Sequence, residues 1–299
     1  MNWIFLSLSA YLMWAGVTVA DKYIITNRIR HHYVYMTMLM QISIIVAVAL
    51  VPLVDFYLPP WRIIFWLLLA GALAVAANLI YIKAANSEDI TRINMLFSII
   101  PIFTLLLAVF FIDEKLSFAQ LTAFIVLVVG TALACFHVGA KQITVSNALP
   151  MMVVVALFYA INIVIFKFVV ESISYTNAFI WGTFTYFPFA HLIFFSKKFR
   201  TQYRFTLAKI NTATTVWLIG IGVVDSLGAL VLASALALGP ATLVNALNGS
   251  QTIFAFILAL VITLIKPVLK EEFDSKNLFL KFLALVIITF GTVILNLPQ

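Results

Sequence analysis

Ten long runs of apolar residues, separated by short polar breaks, make up most of this chain. A bilayer core about 30 Å thick is crossed by roughly 20 residues of α-helix, and the runs are close to that length. The pattern therefore predicts an all-α polytopic membrane protein with ten transmembrane helices. The predicted spans are residues 2–21, 33–53, 61–82, 93–112, 117–138, 148–170, 176–195, 212–237, 241–265 and 277–297.

The breaks between the runs contain residues that end helices or resist burial in lipid. Leu58-Pro59-Pro60 and Gly239-Pro240 end helices for steric reasons, and Asp113-Glu114-Lys115 is charged. The longest breaks, 196–211 and 266–276, are still short, so we expect loops there and no soluble domain. The first run lacks a basic leading segment, which favours a retained helix over a cleaved signal peptide.

Composition excludes several classes of protein. Hydrophobic residues make up 64% of the chain and charged residues only 10%, which excludes a soluble globular enzyme and a disordered chain. The net charge of +7 is spread between the apolar runs, so we expect no nucleic-acid partner. The single cysteine, Cys135, excludes a disulfide framework. No phosphate-binding loop or metal-ligand cluster stands in the sequence, which predicts no cofactor, no metal site and no enzymatic activity.

The two halves of the chain resemble each other. When the sequence is shifted by 151 residues, 66–108 aligns with 217–259 without gaps. The identical pairs include Trp66 and Trp217, Gly71 and Gly222, Leu79 and Leu230, Thr91 and Thr242, Asn94 and Asn245, and Phe103 and Phe254. A second register, shifted by 145 residues, aligns Lys22 with Lys167 and Trp14 with Tyr159.

This repeat predicts how the halves are arranged. Each half carries five predicted helices, and five is odd, so the second half must enter the membrane from the opposite side. We therefore expect two inverted five-helix repeats, residues 1–145 and 146–299, around a central cavity. Inverted repeats are typical of secondary transporters, which work by alternating access.

The first half also resembles a known family. Ile99-Ile100-Pro101-Ile102-Phe103, the turn Asp113-Glu114-Lys115-Leu116 and the later Val129-Gly130-Thr131 are similar to the EamA-like, ten-helix members of the drug/metabolite transporter superfamily. Leu12-Met13-Trp14-Ala15-Gly16 resembles the first helix of that family. The second half departs from the pattern, since Thr252 stands where the proline would be. The resemblance implies a ten-helix fold with a central cavity and transport of small metabolites, often amino acids.

Two observations disagree about the orientation of the chain in the membrane. Basic residues favour cytoplasmic loops. Loops on the side of the termini contain only three basic residues, Arg62, Lys115 and Lys167, and the opposite side contains the other fifteen. The charge count therefore favours termini outside, whereas the family resemblance implies termini in the cytoplasm.

Asp225 is the foremost functional candidate, because an ionisable group inside a membrane is costly to bury. It lies near the middle of the span 212–237, and Ala74 is its counterpart in the first half. We interpret it as a proton carrier or as a counter-ion for a cationic substrate. The alternative is a structural carboxylate that pairs with Lys22, Lys167 or a hydroxyl group.

Lys22 and Lys167 are repeat partners, each late in the first helix of its half. They could bind a carboxylate or phosphate from opposite sides of the cavity. Alternatively, either side chain could extend to the membrane surface, as long basic side chains do. Asp21 is the neighbour of Lys22, and we expect these two to pair.

Further candidates are polar or amphipathic residues within the spans. Asn245, Asn248 and Thr252 follow a helical spacing that puts them on one face, which predicts a polar stripe facing the cavity and not lipid. The alternative for this stripe is hydrogen bonding between helices. The remaining candidates for the cavity wall or for proton coupling are Gln251, Asn94, Trp14, Tyr159, Tyr81, Tyr186 and His191.

Together these patterns predict a multi-pass protein of the plasma (inner) membrane that acts as a secondary transporter. The favoured function is export of small organic metabolites such as amino acids by alternating access, with coupling to protons. A zwitterionic substrate would need both Asp225 and the lysine pair. Two alternatives remain: a multidrug exporter of lipophilic cations, which needs only the acid, and a membrane binding or scaffold protein that transports nothing. We expect a small-molecule substrate and lipid as partners, in a monomer or a homodimer.

Overall fold

The structure is a computed structural model, and it describes residues 3–29, 31–88, 92–93, 96–97, 99–112, 117–138, 143–239, 241–265 and 275–295. Twelve α-helices lie within these ranges. They are α1 (Trp3–Asn27), α2 (His32–Leu50), α3 (Trp61–Ser87), α4 (Ile99–Ile112), α5 (Phe118–Cys135), α6 (Leu149–Ser172), α7 (Tyr175–His191), α8 (Lys197–Lys209), α9 (Thr212–Leu238), α10 (Ala241–Ala246), α11 (Gly249–Ile265) and α12 (Ser275–Leu295). Short 3₁₀ segments, Val51–Leu53 and Leu192–Phe195, extend α2 and α7.

Six of these helices are long and apolar enough to cross a membrane: α1, α2, α3, α6, α7 and α9, where α2 and α7 include their 3₁₀ extensions. Shorter apolar helical stretches occur at Ile99–Phe111, Gly249–Ile262 and Phe282–Gly291. The prediction of a helical, multi-pass membrane protein is therefore confirmed.

Several predicted boundaries are wrong, and α1 and α3 continue to Asn27 and Ser87, beyond the ends expected at 21 and 82. The span expected over 117–138 ends as a helix at Cys135, and the chain then forms a short antiparallel hairpin of β1 (Phe136–Val138) and β2 (Ile143–Val145). The segment 196–211, expected to be a loop, contains α8. This helix forms because Phe199 and Tyr203 lie one turn apart and cover neighbouring apolar residues, while the Ser196 side chain caps its first turn.

The span expected over 241–265 is not one helix. It is interrupted between α10 and α11, where Leu247 and Asn248 form a turn. Main-chain bonds there join residues three apart: the Asn248 N–H donates to the Asn245 oxygen and the Gln251 N–H donates to the Asn248 oxygen, both at 2.9 Å. The first half has a matching bond, from the Ile100 N–H to the Phe97 oxygen at 2.9 Å.

The central helices pack across the two halves of the chain. Helix α1 packs against α9 and α11, while α3 packs against α6 and α7. Helices α2 and α7 contact each other, and so do α5 and α12. Two apolar clusters lie toward opposite ends of these helices: one gathers the C-terminal turns of α1 and α3, and the other gathers their N-terminal turns with the end of α9.

Gly71 and Gly222 allow close contacts between helices of the central group. A Cβ atom built at Gly71 on α3 would lie 2.8 Å from the Tyr186 Cα on α7. A Cβ atom at Gly222 on α9 would lie 2.7 Å from the Ile42 side chain on α2. Because no side chain fits in either place, glycine sets how closely these helices approach.

We expect Gly71→Ala to destabilise the protein by about 1–3 kcal/mol, because the methyl group would press on the backbone of α7, which cannot move aside. Gly220→Ala is the matched control, since a Cβ there meets nothing within 4 Å and alanine favours the helix by about 1 kcal/mol. Thermal unfolding of both variants in detergent micelles measures the difference. Equal midpoints for the two variants would contradict the tight contact at Gly71.

Candidate functional site

A cavity of about 300 Å³ lies between the two halves, and side chains from α1, α2, α3, α4, α6, α7, α9, α10 and α11 line it. Most of the wall is apolar. Its polar side chains are Tyr11, Trp14, Thr18, Asp21, Ser43, Asn78, Tyr81, Tyr159, Asn162, Thr183, Tyr186, Asp225, Asn245, Asn248 and Gln251. The described lining therefore contains two acids and no basic side chain.

Asp225 reaches this cavity from the middle of α9 and is only half-buried. The Trp14 indole lies beside it, and its Nε1 donates to the Asp225 main-chain oxygen at 3.3 Å. Gly228 makes room for this indole, since a Cβ there would lie 2.9 Å from Trp14 Nε1. The carboxyl group is thus held next to an aromatic wall in a place that a ligand can reach.

Asp21 is the second acid of the lining, and from the sequence we expect only that it pairs with Lys22. The structure contradicts that pairing. One carboxylate oxygen of Asp21 accepts a hydrogen bond from the Tyr35 hydroxyl on α2, and the other accepts one from the Tyr81 hydroxyl on α3 at 3.0 Å. The Asp21 carboxylate therefore joins α1, α2 and α3. Asp21 is only 3% exposed, so it is much less accessible than Asp225.

The two repeat-related lysines lie at helix ends and not in the cavity lining. Lys22 Nζ donates to the main-chain oxygens of Ala85 at 2.8 Å and Glu88 at 2.5 Å, at the C-terminus of α3. Lys167 Nζ donates to those of Leu236 at 2.9 Å and Gly239 at 3.1 Å, at the C-terminus of α9. A lysine is favourable there because the last carbonyls of a helix lack partners and carry partial negative charge.

The acceptors of these lysines correspond in sequence. Leu236 is 151 residues after Ala85, and Gly239 is 151 residues after Glu88, which is the shift that aligns the two halves. Each lysine thus caps the C-terminus of a helix, and the two caps use corresponding main-chain oxygens in the two halves. The expectation of an anion site between the lysines is not supported by their position.

We expect Lys22→Met to lower the free energy of unfolding by about 2 kcal/mol, because it leaves buried main-chain oxygens without their charged donor. Lys167→Met should cost less than about 1 kcal/mol, since Lys167 is 17% exposed and its ion-pair partner Glu171 is 60% exposed. Thermal unfolding in detergent checks both values. Equal losses would show that burial of the cap does not matter.

Two amides at the break between α10 and α11 also reach the cavity. Asn245 Nδ2 donates to Thr104 Oγ1 on α4 at 2.5 Å. The side-chain oxygens of Asn245 and Asn248 are buried and have no hydrogen-bond partner among the described residues. Buried acceptors are normally satisfied, so these two oxygens are available to a donor that enters the cavity.

The predicted aromatic residues Trp14, Tyr81, Tyr159 and Tyr186 all line the cavity. The Tyr159 hydroxyl donates to Asn78 Oδ1 at 2.9 Å, which joins α6 to α3. Tyr11, which sequence reasoning did not single out, donates to the Val244 main-chain oxygen at 3.2 Å, and its ring lies 5.9 Å from that of Trp14. That the predicted residues Trp14, Tyr81, Tyr159 and Tyr186 bind a substrate stays a prediction.

Four predicted site residues are not among those that line the cavity in the structure: Lys22, Lys167, Thr252 and His191. Thr252 is buried in α11 and lies off the lining, because the helix break changes the face that Asn245 and Asn248 share with it. His191 lies at the end of α7, where its ring stacks on Phe194 and its Nε2 is 3.2 Å from Gln41 Nε2. Asn94 lies outside the described residues.

The described helices form a multi-pass membrane fold with a cavity between them. The sequence profile of the EamA-like transporter family matches residues 1–136, which confirms the resemblance seen in the sequence. A solved structure, described only as the crystal structure of a protein, matches with a TM-score of 0.69 and covers 98% of this chain and 96% of its own. The sequence identity is 13%, so this likeness shows the fold alone. No curated protein matches the chain.

Proposed function

We propose that this protein is a secondary transporter of the drug/metabolite type whose cavity binds small organic cations that carry an amine. The observation that carries the proposal is the charge of the lining: Asp225 and Asp21 face the cavity, while Lys22 and Lys167 cap helices elsewhere. A cationic group buried beside Asp225 would gain a charge-assisted hydrogen bond in a medium of low dielectric constant.

This charge pattern favours an amine over an amino acid. The carboxylate of an amino acid would need a cationic partner, and the described lining contains no lysine, arginine or histidine. Leaving that carboxylate unpaired in an apolar wall costs several kcal/mol. The amino-acid prediction made from the sequence depended on the lysine pair, whose amines are engaged at helix ends.

The two unpartnered amide oxygens further favour a cation that has N–H groups. Asn245 and Asn248 offer acceptors that a primary ammonium group can fill, whereas a quaternary ammonium group has no hydrogen to donate. A site built to receive hydrogen bonds discriminates strongly against an analogue that lacks the donor.

Several features support the inverted repeat on which alternating access depends. The lysine caps correspond position by position, and the broken helix carries the same main-chain bond in both halves, Ile100 to Phe97 and Gln251 to Asn248. The packing is also reciprocal, because α1 on α9 corresponds to α6 on α3 when the halves are exchanged. We propose that rocking of one half against the other opens the cavity to each side in turn.

We propose that protons drive this exchange, because a single accessible carboxylate at Asp225 can hold either a proton or an ammonium group, but not both. Binding of one then releases the other. The charge count favours termini outside, with the basic loops in the cytoplasm, and we propose the plasma membrane as the location and export as the direction.

Phenethylamine and phenylalanine form a matched pair of probes that tests this proposal, because they differ only by a carboxylate. We expect the purified protein to bind phenethylamine at least ~10-fold more tightly than phenylalanine, and to lose affinity stepwise as the amine is methylated to the quaternary form. Isothermal titration in detergent measures these affinities, and uptake of the best ligand into proteoliposomes with a pH gradient tests transport.

Each outcome selects a different function. Tighter binding of phenylalanine supports the amino-acid transporter. Equal binding of the primary and quaternary amines supports the multidrug exporter of lipophilic cations. If the protein binds none of these probes and shows no flux in proteoliposomes, the proposal is overturned. That result supports a membrane binding or scaffold protein that transports nothing.

A further inference from the structure

Helix α8 carries a dense positive charge that lies outside the cavity. Its sequence, KKFRTQYRFTLAK, contains five basic residues and no acidic residue. The helix lies between α7 and α9, which are both candidate membrane spans, so it lies at a membrane surface. Lys197, Arg200, Arg204 and Lys209 are exposed.

Three of the basic residues share one face. Lys197, Arg200 and Arg204 follow the spacing i, i+3, i+7, which aligns side chains along a helix. We call these three residues the basic stripe. None of them forms an ion pair with an acidic side chain in the part of the chain that the structure describes. Lys198 and Lys209 point to another side, where Lys209 Nζ lies 4.0 Å above the Phe205 ring.

Side chains on the buried face of α8 hold this helix in place. Phe199 is buried against Phe194, with ring centroids 5.1 Å apart. The Tyr203 hydroxyl donates to Gln41 Oε1 on α2 at 2.6 Å. The basic stripe is therefore presented on a fixed helix and not on a flexible loop, so the protein loses less conformational entropy when a ligand binds there.

We propose that the basic stripe binds the head group of an anionic phospholipid. Charge complementarity selects this occupant: three aligned cations at a membrane surface face the phosphates of the bilayer, and the exposed Leu207 beside the stripe can contact its acyl region. Arginine also suits phosphate because its planar guanidinium group donates two parallel hydrogen bonds. The proposal does not depend on which cargo the cavity binds.

The test compares two double variants that remove the same charge from the same helix. Arg200→Gln with Arg204→Gln removes two members of the stripe, and Lys198→Gln with Lys209→Gln is the control on the other side. The full-length protein in dodecylmaltoside is titrated with dioctanoylphosphatidylglycerol or dioctanoylphosphatidylcholine, and its unfolding temperature is recorded. Ligand that binds only the folded protein raises that temperature.

We expect phosphatidylglycerol to stabilise the wild type more than phosphatidylcholine does. The stripe variant should bind phosphatidylglycerol about 25-fold more weakly, which is roughly fivefold for each basic residue removed. The control variant should keep most of the effect. Equal losses in both variants would mean general charge attraction and would overturn the proposal, as would no preference of the wild type for the anionic lipid.

Two further measurements distinguish the lipid from other possible partners of the basic stripe. Inorganic phosphate at the same concentration should not replace the lipid; if it does, the site takes free phosphate and the lipid proposal is wrong. Glu271, Glu272 and Asp274 lie outside the described residues and could pair with the stripe. In that case the stripe variant would be less stable by the same amount with and without phosphatidylglycerol, and the proposal fails.

Discussion

Replacing Asp225 by asparagine is expected to lower the affinity for phenethylamine by roughly 10- to 100-fold while leaving the protein folded. The asparagine keeps the shape of the side chain and removes its charge, so the ammonium group loses one charge-assisted hydrogen bond of about 1.5–3 kcal/mol. Because Asp225 is half-buried and reaches the cavity, the folded state depends little on its charge. Isothermal titration of the variant in detergent measures the loss.

Asp55→Asn is the matched control, since Asp55 is exposed in the segment before α3 and does not line the cavity. It should bind phenethylamine as the wild type does. Proteoliposomes with a pH gradient extend the test, and there the Asp225 variant should show no substrate-dependent proton movement. If the variant binds and moves phenethylamine normally, Asp225 is structural and the proposed cation site is wrong.

Asp21→Asn is expected to have the opposite profile, with a large loss of stability and a small loss of affinity. The Asp21 carboxylate accepts bonds from Tyr35 and Tyr81 on two other helices, and hydrogen bonds to a charged group contribute about 1.5–3 kcal/mol each. An amide has only one acceptor oxygen, so one buried hydroxyl loses its partner. We expect the free energy of unfolding to fall by about 3 kcal/mol.

Thermal unfolding and phenethylamine titration of the same preparation separate stability from binding for Asp21. Tyr35→Phe and Tyr81→Phe each remove one bond and should each cost about half as much as Asp21→Asn. The affinity of the folded fraction should change less than about threefold. A normally stable Asp21 variant that no longer binds phenethylamine would move the cation site from Asp225 to Asp21.

The periodic features of the fold could be predicted from the sequence. Length and hydropathy placed the six long spans to within a few residues, except that α1 and α3 continue by about one to two turns, to Asn27 and Ser87. The polar residues of α10 and α11 were also found, because amides are rare in such apolar segments. Their alignment on one face was not predicted correctly, since periodicity assumes a continuous helix and the turn at Leu247-Asn248 interrupts it.

The tertiary partners of charged residues could not be predicted. Lys22 was expected to pair with Asp21, to face a ligand or to extend to the membrane surface, but its amine donates to main-chain oxygens 63 and 66 positions away. Carbonyl groups at a helix end leave no signal in the side-chain pattern. Helix α8 was missed for a different reason: its basic residues lower the mean hydropathy, although Phe199, Tyr203 and Thr206 already had helical spacing.

The polar bonds differ in kind according to where they lie. The lysine caps and the Asp21 contacts, which involve charged groups, join helices within one half. Most bonds between different halves, such as Tyr159 to Asn78 and Asn162 to the Ala70 oxygen, are neutral, although the Ser146 hydroxyl donates to the Glu88 carboxylate at 2.6 Å. A neutral bond contributes only about 1 kcal/mol. The rocking motion proposed above would therefore break weak, neutral bonds along most of the seam between the halves, while the charged bonds within each half are kept.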